Sequence, residues 1–494
     1  MARASRLQAA APQLRIPLAG DDHFDPYGRD FCLDHSAVER RALGITLTPQ
    51  WLVDWMLDRC AALGDFAGVV DPGCGTARFA LAAARRWPQA QVVGIEAHPA
   101  LSALARTAVA QAGLHRRVEI RDGDFLDLSA VPRCGRTLFV GNPPYVRHHD
   151  IAPCWKDWYR EQMRGLGIAA SALAGLHAHF LLKTALLARP GDAFCFVGPA
   201  EWLDSGYGSA LRQLLGGAHL PVAEIWLADR AARVFDDALV STAVVAGVVG
   251  ELSANIRFGM LRAEDARPQR EAPRSSLAVS QRWSEFWHEE RARGPGVEVG
   301  DLFVVRRGQV TGNNALWVYG SGYSDALPAA VLRPTVTRAR ELLELPDAVL
   351  RDDAPLKRVI DIPADWRETF GAQDVRRIER FVAWAERHGG RDSYIARHRD
   401  PWFRVRLGDP SPILMTYMAR RAPRFVRNAA GVAILNIAHG LFPRRAMTTT
   451  ELDAAVAALN RAADVRDGRA YAGNLVKFEP GDAMRMRFAG LPGH

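Results

Sequence analysis

The 494 residues are 48% hydrophobic and 24% charged, with 63 Lys and Arg against 55 Asp and Glu, a formal net charge of +8. That length and apolar content exclude a disordered or fibrous chain and allow two or three cored domains, while the basic excess favours a polyanionic partner without naming one. No apolar run approaches the ~18 residues that span a bilayer, and Cys32, Cys60, Cys74, Cys134, Cys154 and Cys195 form no Cys-x-x-Cys pair, so no membrane anchor, zinc ribbon or disulfide framework is expected and the chain reads as cytoplasmic.

Residues 1–42 read as an N-terminal arm, mobile over its first twenty residues, where Arg3, Arg6 and Arg15 stand among alanines. Over 43–252, strand-like apolar runs alternate with helical patterns, the mark of a wound α/β sheet. The runs begin at Gly68, Gln91, Thr137, Ala193, Ala223 and Ser241, and helices are expected over Phe79–Arg86, Ala100–Gly113, Ala178–Ala188 and Ser209–Leu215. Residues 253–296, rich in Arg, Glu, Pro and Ser without clear periodicity, read as a linker. Residues 297–494 mix short strand and helix signals with many arginines and read as a second domain of mixed α+β type.

Within the sheet, the run from Val69 through Asp71-Pro72-Gly73-Cys74-Gly75-Thr76-Ala77 to Phe79 reads as a first strand, a tight turn and the start of a helix. Gly73 and Gly75 lack a Cβ and let backbone approach a nucleotide closely. The next strand ends in Glu96, 25 positions after Asp71, where a carboxylate accepts hydrogen bonds from ribose hydroxyls. A third strand end offers Asp124 as an acceptor for an adenine amine and Phe125 as a stacking face. The Asp-Pro-x-Cys-Gly-Thr run resembles the first motif of class I methyltransferases, with their Rossmann-like sheet, rather than the dehydrogenase Gly-x-Gly-x-x-Gly. That resemblance implies S-adenosylmethionine as cofactor. Ala77 stands where many DNA methyltransferases carry a third glycine, which is expected to reduce clearance without abolishing binding.

Gly141-Asn142-Pro143-Pro144-Tyr145 follows the strand Leu138-Phe139-Val140, where a sheet of this kind presents residues to a ligand. The exocyclic amine of adenine is a poor nucleophile because its lone pair is delocalised into the ring. The Asn142 side-chain oxygen and the Pro143 carbonyl could each accept one of its N–H groups and favour the pyramidal amine of the transition state. Consecutive prolines fix the carbonyl direction, and Tyr145 offers a ring to the base. His148 and His149 read as loop or DNA-contact residues whose side chains point apart, and no metal site is expected. Amino methyltransferases acting on adenine, cytosine N4, guanine N2 and protein glutamine share this tetrapeptide or close variants, and asparagine at its first position leans toward adenine. The motif order resembles gamma-class adenine DNA methyltransferases of the Taq type, including the methyltransferase halves of Type IIG restriction enzymes. The resemblance implies that Gly44-Ile45-Thr46-Leu47-Thr48-Pro49, with Thr48, closes over the methionine part of the cofactor. It also implies that Phe235, in Arg233-Val234-Phe235-Asp236-Asp237, packs on a flipped base and faces Tyr145 across the adenine, with direct in-line methyl transfer.

Beyond the linker, Arg306–Asn314, Arg333–Arg340 and the run from Ile413 through Arg420, Arg421, Arg424 and Asn428 to Leu441 resemble the target recognition domain of Type IIG-like methyltransferases. Arg404, Arg406, Arg424 and Arg427, interleaved with Trp402, Phe403 and Phe425, suit phosphate and base contacts. The resemblance therefore implies a sequence-specific DNA adenine-N6 methyltransferase acting on double-stranded DNA, with a separate restriction endonuclease or defence-system subunit as partner. Two other readings stay open. An RNA or protein-glutamine methyltransferase could use the same tetrapeptide, against which stands the large C-terminal region. A non-catalytic DNA-binding subunit would not need Asp71, Glu96, Asp124 and Asn142 as a set.

Overall fold

A computed structural model describes residues 25–36, 39–40, 43–132, 135–228, 234–235, 241–261, 268–279, 282–287, 296–471 and 475–490. It divides into two units, one running to Glu290 and also taking Tyr471–Gly473, the other built from Arg291 onward.

The first unit is organised by a nine-stranded sheet. Its strands are β1 (Gly68–Pro72), β2 (Gln91–Glu96), β3 (Val118–Asp122), β4 (Thr137–Gly141), β5 (Ala193–Pro199), β6 (Val222–Ala228), β7 (Thr242–Val248), β8 (Asn255–Leu261) and β9 (Arg270–Pro273), in the order β3-β2-β1-β4-β5-β7-β6-β8-β9. β1 to β5 are parallel, and β7 runs antiparallel between β5 and β6. The central strands read as continuous apolar runs because both faces are covered. Val69, Val92 and Leu138 turn into one core with the helices Gln50–Ala61 and Arg78–Arg86, while Val70, Val93 and Phe139 turn into another with the helices Leu176–Leu187 and Ser209–Gly216. Each such side chain contributes roughly 1.5–3 kcal/mol through burial.

This strand order fixes the site. The chain leaves β1 toward β2 and β3 and returns on the other side of β1 as β4, so the carboxyl ends of β1 and β4 lie side by side at the switch point where sheets of this type bind ligands. Asp71–Gly75 and Asn142–Tyr145 emerge from those two ends.

The expected linker is corrected. β8 pairs parallel with β6, β9 pairs antiparallel with β8, and the helix Arg274–Val279 follows directly. Ile256, Phe258 and Leu261 are buried, and the Arg274 guanidinium donates to the carbonyls of Ser253, Leu215, Gly216 and Val222. Ile256 and Phe258 enter one core and Leu261 the other, so the strand is covered on both faces although the sequence around it is rich in Arg, Glu and Pro. The N-terminal stretch is corrected in part: the arm's first twenty residues lie outside the described residues, but Pro26–Asp34 is a helix, capped by Asp25 and anchored by buried Phe31.

In the second unit a five-stranded sheet runs Phe303–Arg307, Ala438–Pro443, Ile413–Thr416, Phe425–Asn428 and Val349–Leu350, antiparallel except for the last pair. Phe303, Ile413, Phe425 and Leu441 bury their side chains under the helix Thr449–Ala462, which opens with a reciprocal Thr448–Glu451 cap. A separate core around Trp317 and Phe381 holds the helix Ala372–Arg387. Among the described residues, no helix is long and apolar enough to cross a membrane.

Candidate active site

The turn after β1 is built from left-handed residues: Gly73, Gly75 and Ala77 have φ of 72°, 56° and 69°. For glycine this is free, but for alanine it costs about 1–2 kcal/mol. The turn curls onto β2, with Gly73 and Cys74 both donating to the Ile95 carbonyl at 2.8 and 2.9 Å. Glu96 holds it from the side, its Oε2 accepting from the Gly75 N–H and its Oε1 from the His98 N–H, each at 2.8 Å. Asp71 is 1% exposed; its Oδ2 accepts from the Ala80 N–H at 3.1 Å, and its buried Oδ1 has no partner. Burial pushes the Asp71 carboxyl well above its usual range, and nearby Glu96 adds to the shift. Burial likewise raises Glu96 and Asp124.

These residues fit S-adenosylmethionine. An orphaned, desolvated carboxylate oxygen calls for a cationic partner, and that cofactor carries both an ammonium and a sulfonium. Glu96 retains free lone pairs for ribose hydroxyls. Asp124 spends one oxygen on the Leu126 N–H at 2.9 Å. Phe125, expected as a stacking face, is 1% exposed and lies in the core against Phe180, with ring centroids 5.2 Å apart. Phe180 is the ring that borders the turn, 3.6 Å from where a Gly73 side chain would begin. It went unnoticed because Leu176–Leu187 is apolar nearly all round and reads as core. Lys183, from the same helix, donates to the Leu126 carbonyl at 2.6 Å and so braces the Asp124 corner.

On the β4 side, the Asn142 amide is oriented by its neighbour. Its Nδ2 donates to the Thr46 carbonyl at 3.1 Å, and because a carbonyl only accepts, the amide oxygen must face the other way. That Oδ1 is buried and has no donor. The Tyr145 N–H donates to the Gly44 carbonyl at 3.1 Å, so residues 44–46 lie along the Asn142–Tyr145 loop and align it. Gly44 is needed there: its φ is 70°, and a side chain would meet Val146 at 2.5 Å. Thr48 is buried, and its carbonyl accepts from Arg78 Nη1 at 2.7 Å. Pro143 is buried and Pro144 lies against the Gly73 turn. The two loops nearly touch, since a side chain on Gly141 would meet Asp71 Oδ1 at 2.9 Å.

Tyr145 meets Phe235 edge-to-face at 5.8 Å, with Phe235 only 1% exposed. The structure thus brings the expected pair together, but with ring against ring and no slot between them, so a base seated between their faces requires the rings to part. Arg233, Asp236 and Asp237 lie outside the described residues. The rings of His148 and His149 do not point apart as expected; a 3-10 turn sets them 4.0 Å from each other.

Sequence reasoning also missed Asp25. Its Oδ2 accepts from Thr76 Oγ1 at 2.5 Å and from Arg78 Nε at 2.6 Å, while Oδ1 accepts from the Gly28 N–H at 2.8 Å. A lone aspartate 46 positions before Asp71 carries no motif signal.

Each of the four arginines expected to face DNA has a partner within its own unit. Arg404 donates to the Ile362 carbonyl at 3.3 Å, Arg406 to Asp400, Arg424 to Leu345, and Arg427 pairs with Asp453 at 2.5 Å. Trp402 and Phe403 pack on Trp317 and Trp366, and Phe425 is buried. A planar guanidinium can cap a carbonyl with one edge and keep donors for another partner. Arg421 is exposed at the edge of a basin of about 630 Å³ that Arg351, Arg424 and Asn460 also line.

The C-terminal domain model of the Type II methyltransferase M.Eco57I matches residues 274–493, and a general methyltransferase-domain model matches residues 69–161. The Type II methyltransferase M.XamI of Xanthomonas campestris pv. amaranthicola is 40% identical over 477 residues, covering 95% of this chain and 87% of its own. The Type II methyltransferase M.AccI of Acinetobacter calcoaceticus is 22% identical over 369 residues, 69% of this chain and 67% of its own. Among solved structures, the Type IIL restriction-modification enzyme MmeI in complex with DNA is similar in fold, with a TM-score of 0.54 at 13% identity over 84% of this chain; the chain spans 65% of that structure's length. The first unit supplies a methyltransferase sheet with a fitting cofactor turn, and the relationship to M.XamI runs almost end to end: the chain belongs to the Type II methyltransferases, and its methyl donor is S-adenosylmethionine.

Proposed function

We propose that this chain methylates the exocyclic amine of adenine within a specific sequence of double-stranded DNA. The observation that carries the reading is the buried, donorless Oδ1 of Asn142, fixed in direction by the Thr46 carbonyl. An adenine amine placed there donates one N–H to Asn142 Oδ1 and the other to the Pro143 carbonyl. Both acceptors draw the hydrogens out of the ring plane, localise the lone pair and stabilise the positive charge that grows on nitrogen. S-adenosylmethionine supplies the electrophilic methyl on its sulfonium. In-line transfer would form the N–C bond as the S–C bond breaks with its electron pair to sulfur, and the extra proton of the product amine would pass to solvent water.

A duplex substrate has to present its adenine outside the stack, at a cost of a few kcal/mol. Tyr145 and Phe235 are the rings that receive it once they separate, which is why both stand in the site. Sequence-specific binding is supported by MmeI, which is similar in fold over 84% of this chain and is described in complex with DNA. In this reading the chain acts in the bacterial cytoplasm beside a separate restriction endonuclease for the same sequence.

The test is transfer of labelled methyl from S-adenosylmethionine to duplex DNA of mixed sequence, with base-resolved mapping of modified adenines. The expected result is N6-methyladenine in one recurring sequence context. Label in RNA, in protein or on cytosine in its place overturns the substrate assignment.

A further inference from the structure

The Gly-rich turn departs from its family pattern at Ala77, and the structure shows what that departure entails. Ala77 is fully buried and left-handed, φ 69°, at the first position before the helix Arg78–Arg86, and no side chain caps that helix end. An alanine there pulls the backbone toward conformations that would carry Gly75 away from Glu96.

Asp25 grips the residues on both sides of it. One carboxylate oxygen takes the Thr76 hydroxyl and the Arg78 Nε, at 2.5 and 2.6 Å. The ion pair is nearly dry, with side chains 11% and 7% exposed for Arg78 and Asp25. The other oxygen takes the Gly28 N–H at 2.8 Å, which anchors the grip to the helix Pro26–Asp34. Gly28 makes the approach possible, because a side chain there would meet Asp25 Oδ2 at 2.3 Å. Arg78 extends the link to the Thr48 carbonyl at 2.7 Å, so the turn, the 44–48 stretch and the N-terminal helix share one charged node.

We propose that Asp25 is a positioning residue of the cofactor site: by holding Thr76 and Arg78 it keeps the turn in the left-handed path that Ala77 alone does not favour. Charge-assisted bonds in a desolvated setting are strong enough for this, and removing one partner leaves Arg78 buried without its counter-charge. The proposal rests on the binding of S-adenosylmethionine at this turn, and its test separates the two.

The full chain is compared with Asp25→Ala, Asp25→Asn, Thr76→Val, Ala77→Gly and Asp25→Ala/Ala77→Gly by calorimetric titration of S-adenosylmethionine and by amide hydrogen exchange of residues 73–80 without ligand. Asp25→Ala is expected to weaken binding about 10- to 100-fold, as loss of an outer-shell support does, and to speed exchange of those amides, while duplex DNA affinity holds. Asp25→Asn and Thr76→Val, which keep the packing, fall between. Ala77→Gly alone changes little, and in the Asp25→Ala background it restores most of the affinity and slows exchange, because glycine follows the left-handed path without support. A merely structural aspartate would not be rescued at residue 77. Wild-type affinity and exchange in Asp25→Ala and Asp25→Asn, or a loss that Ala77→Gly leaves untouched, overturns the proposal. The exchange readout needs no ligand, so it decides the grip even where the cofactor assignment fails.

Discussion

Replacing Asn142 by alanine separates catalysis from binding in this site. Two interactions vanish. The Nδ2 bond to the Thr46 carbonyl is a neutral, half-buried hydrogen bond worth about 1 kcal/mol net, and its loss loosens the 44–46 stretch slightly. The Oδ1 acceptor makes no bond in the free protein, so its removal leaves folding unharmed and even relieves an unsatisfied buried atom. Its whole value is realised when charge develops on the amine. A preorganised group aimed at developing charge is worth about 10²–10³ in kcat, roughly 3–4 kcal/mol. Asn142→Ala should therefore lower the single-turnover methyl-transfer rate by at least that factor, with S-adenosylmethionine affinity changed less than about threefold and melting temperature nearly unmoved. Rates come from rapid mixing of preformed enzyme–DNA complex with labelled cofactor, and affinity from calorimetry. A variant within tenfold of wild type, or one whose rate loss is matched by lost cofactor affinity, refutes the role given to Oδ1.

The other predictions probe neighbouring groups. Asp71, whose folded pKa is raised by burial, binds its proton more tightly folded than unfolded, so it disfavours the free fold increasingly as pH rises from the unfolded toward the folded value. Asp71→Asn should then raise the ligand-free melting temperature near neutral pH while weakening cofactor binding. In the native protein, affinity should fall as pH drops through the folded pKa, and binding should release protons, visible as a buffer-dependent calorimetric heat. Tyr145→Phe removes a buried hydroxyl that has no partner, so stability should hold or rise by up to about 1 kcal/mol with turnover kept, whereas Tyr145→Ala should lose the ring and with it tight substrate binding. Arg424→Ala should lower the melting temperature of the second unit, by freeing the Leu345 carbonyl, yet leave the salt dependence of DNA affinity unchanged; a shallower slope would mean that Arg424 touches phosphate.

Legibility followed physical signal. β1, β2 and β4 to β7 stood out because strands covered on both faces are written as apolar runs, whereas β3, Val-Glu-Ile-Arg-Asp, was legible only as the strand end before Asp124; Glu96 and Asn142 were found because each closes or follows such a run. β8 and β9 were hidden because they are short and the Arg-, Glu- and Pro-rich sequence around them resembles a linker, although Ile256, Phe258 and Ala272 enter one core and Leu261 the other. Asp25 and Phe180 were invisible for opposite reasons, the first because its partners lie 51 and 53 positions away, the second because a core helix has no distinguishing face. The arginines' partners were not legible, because composition reports that a guanidinium is present, not which oxygen it meets. Tyr145 and Phe235, 90 positions apart, were paired by the resemblance, but their edge-to-face contact shows only in the fold.

The two edge strands bear on how recognition halves could be exchanged between relatives. A chimera joined near residue 253 would strip β8 and β9 from the sheet, leave the hydrogen-bonding rim of β6 open to self-association, and remove the buried Trp283 that rests on Trp202. Grafts joined after Glu290 keep that sheet whole, and under the proposed function a chimera made there is expected to methylate the sequence of the relative that supplied its second unit.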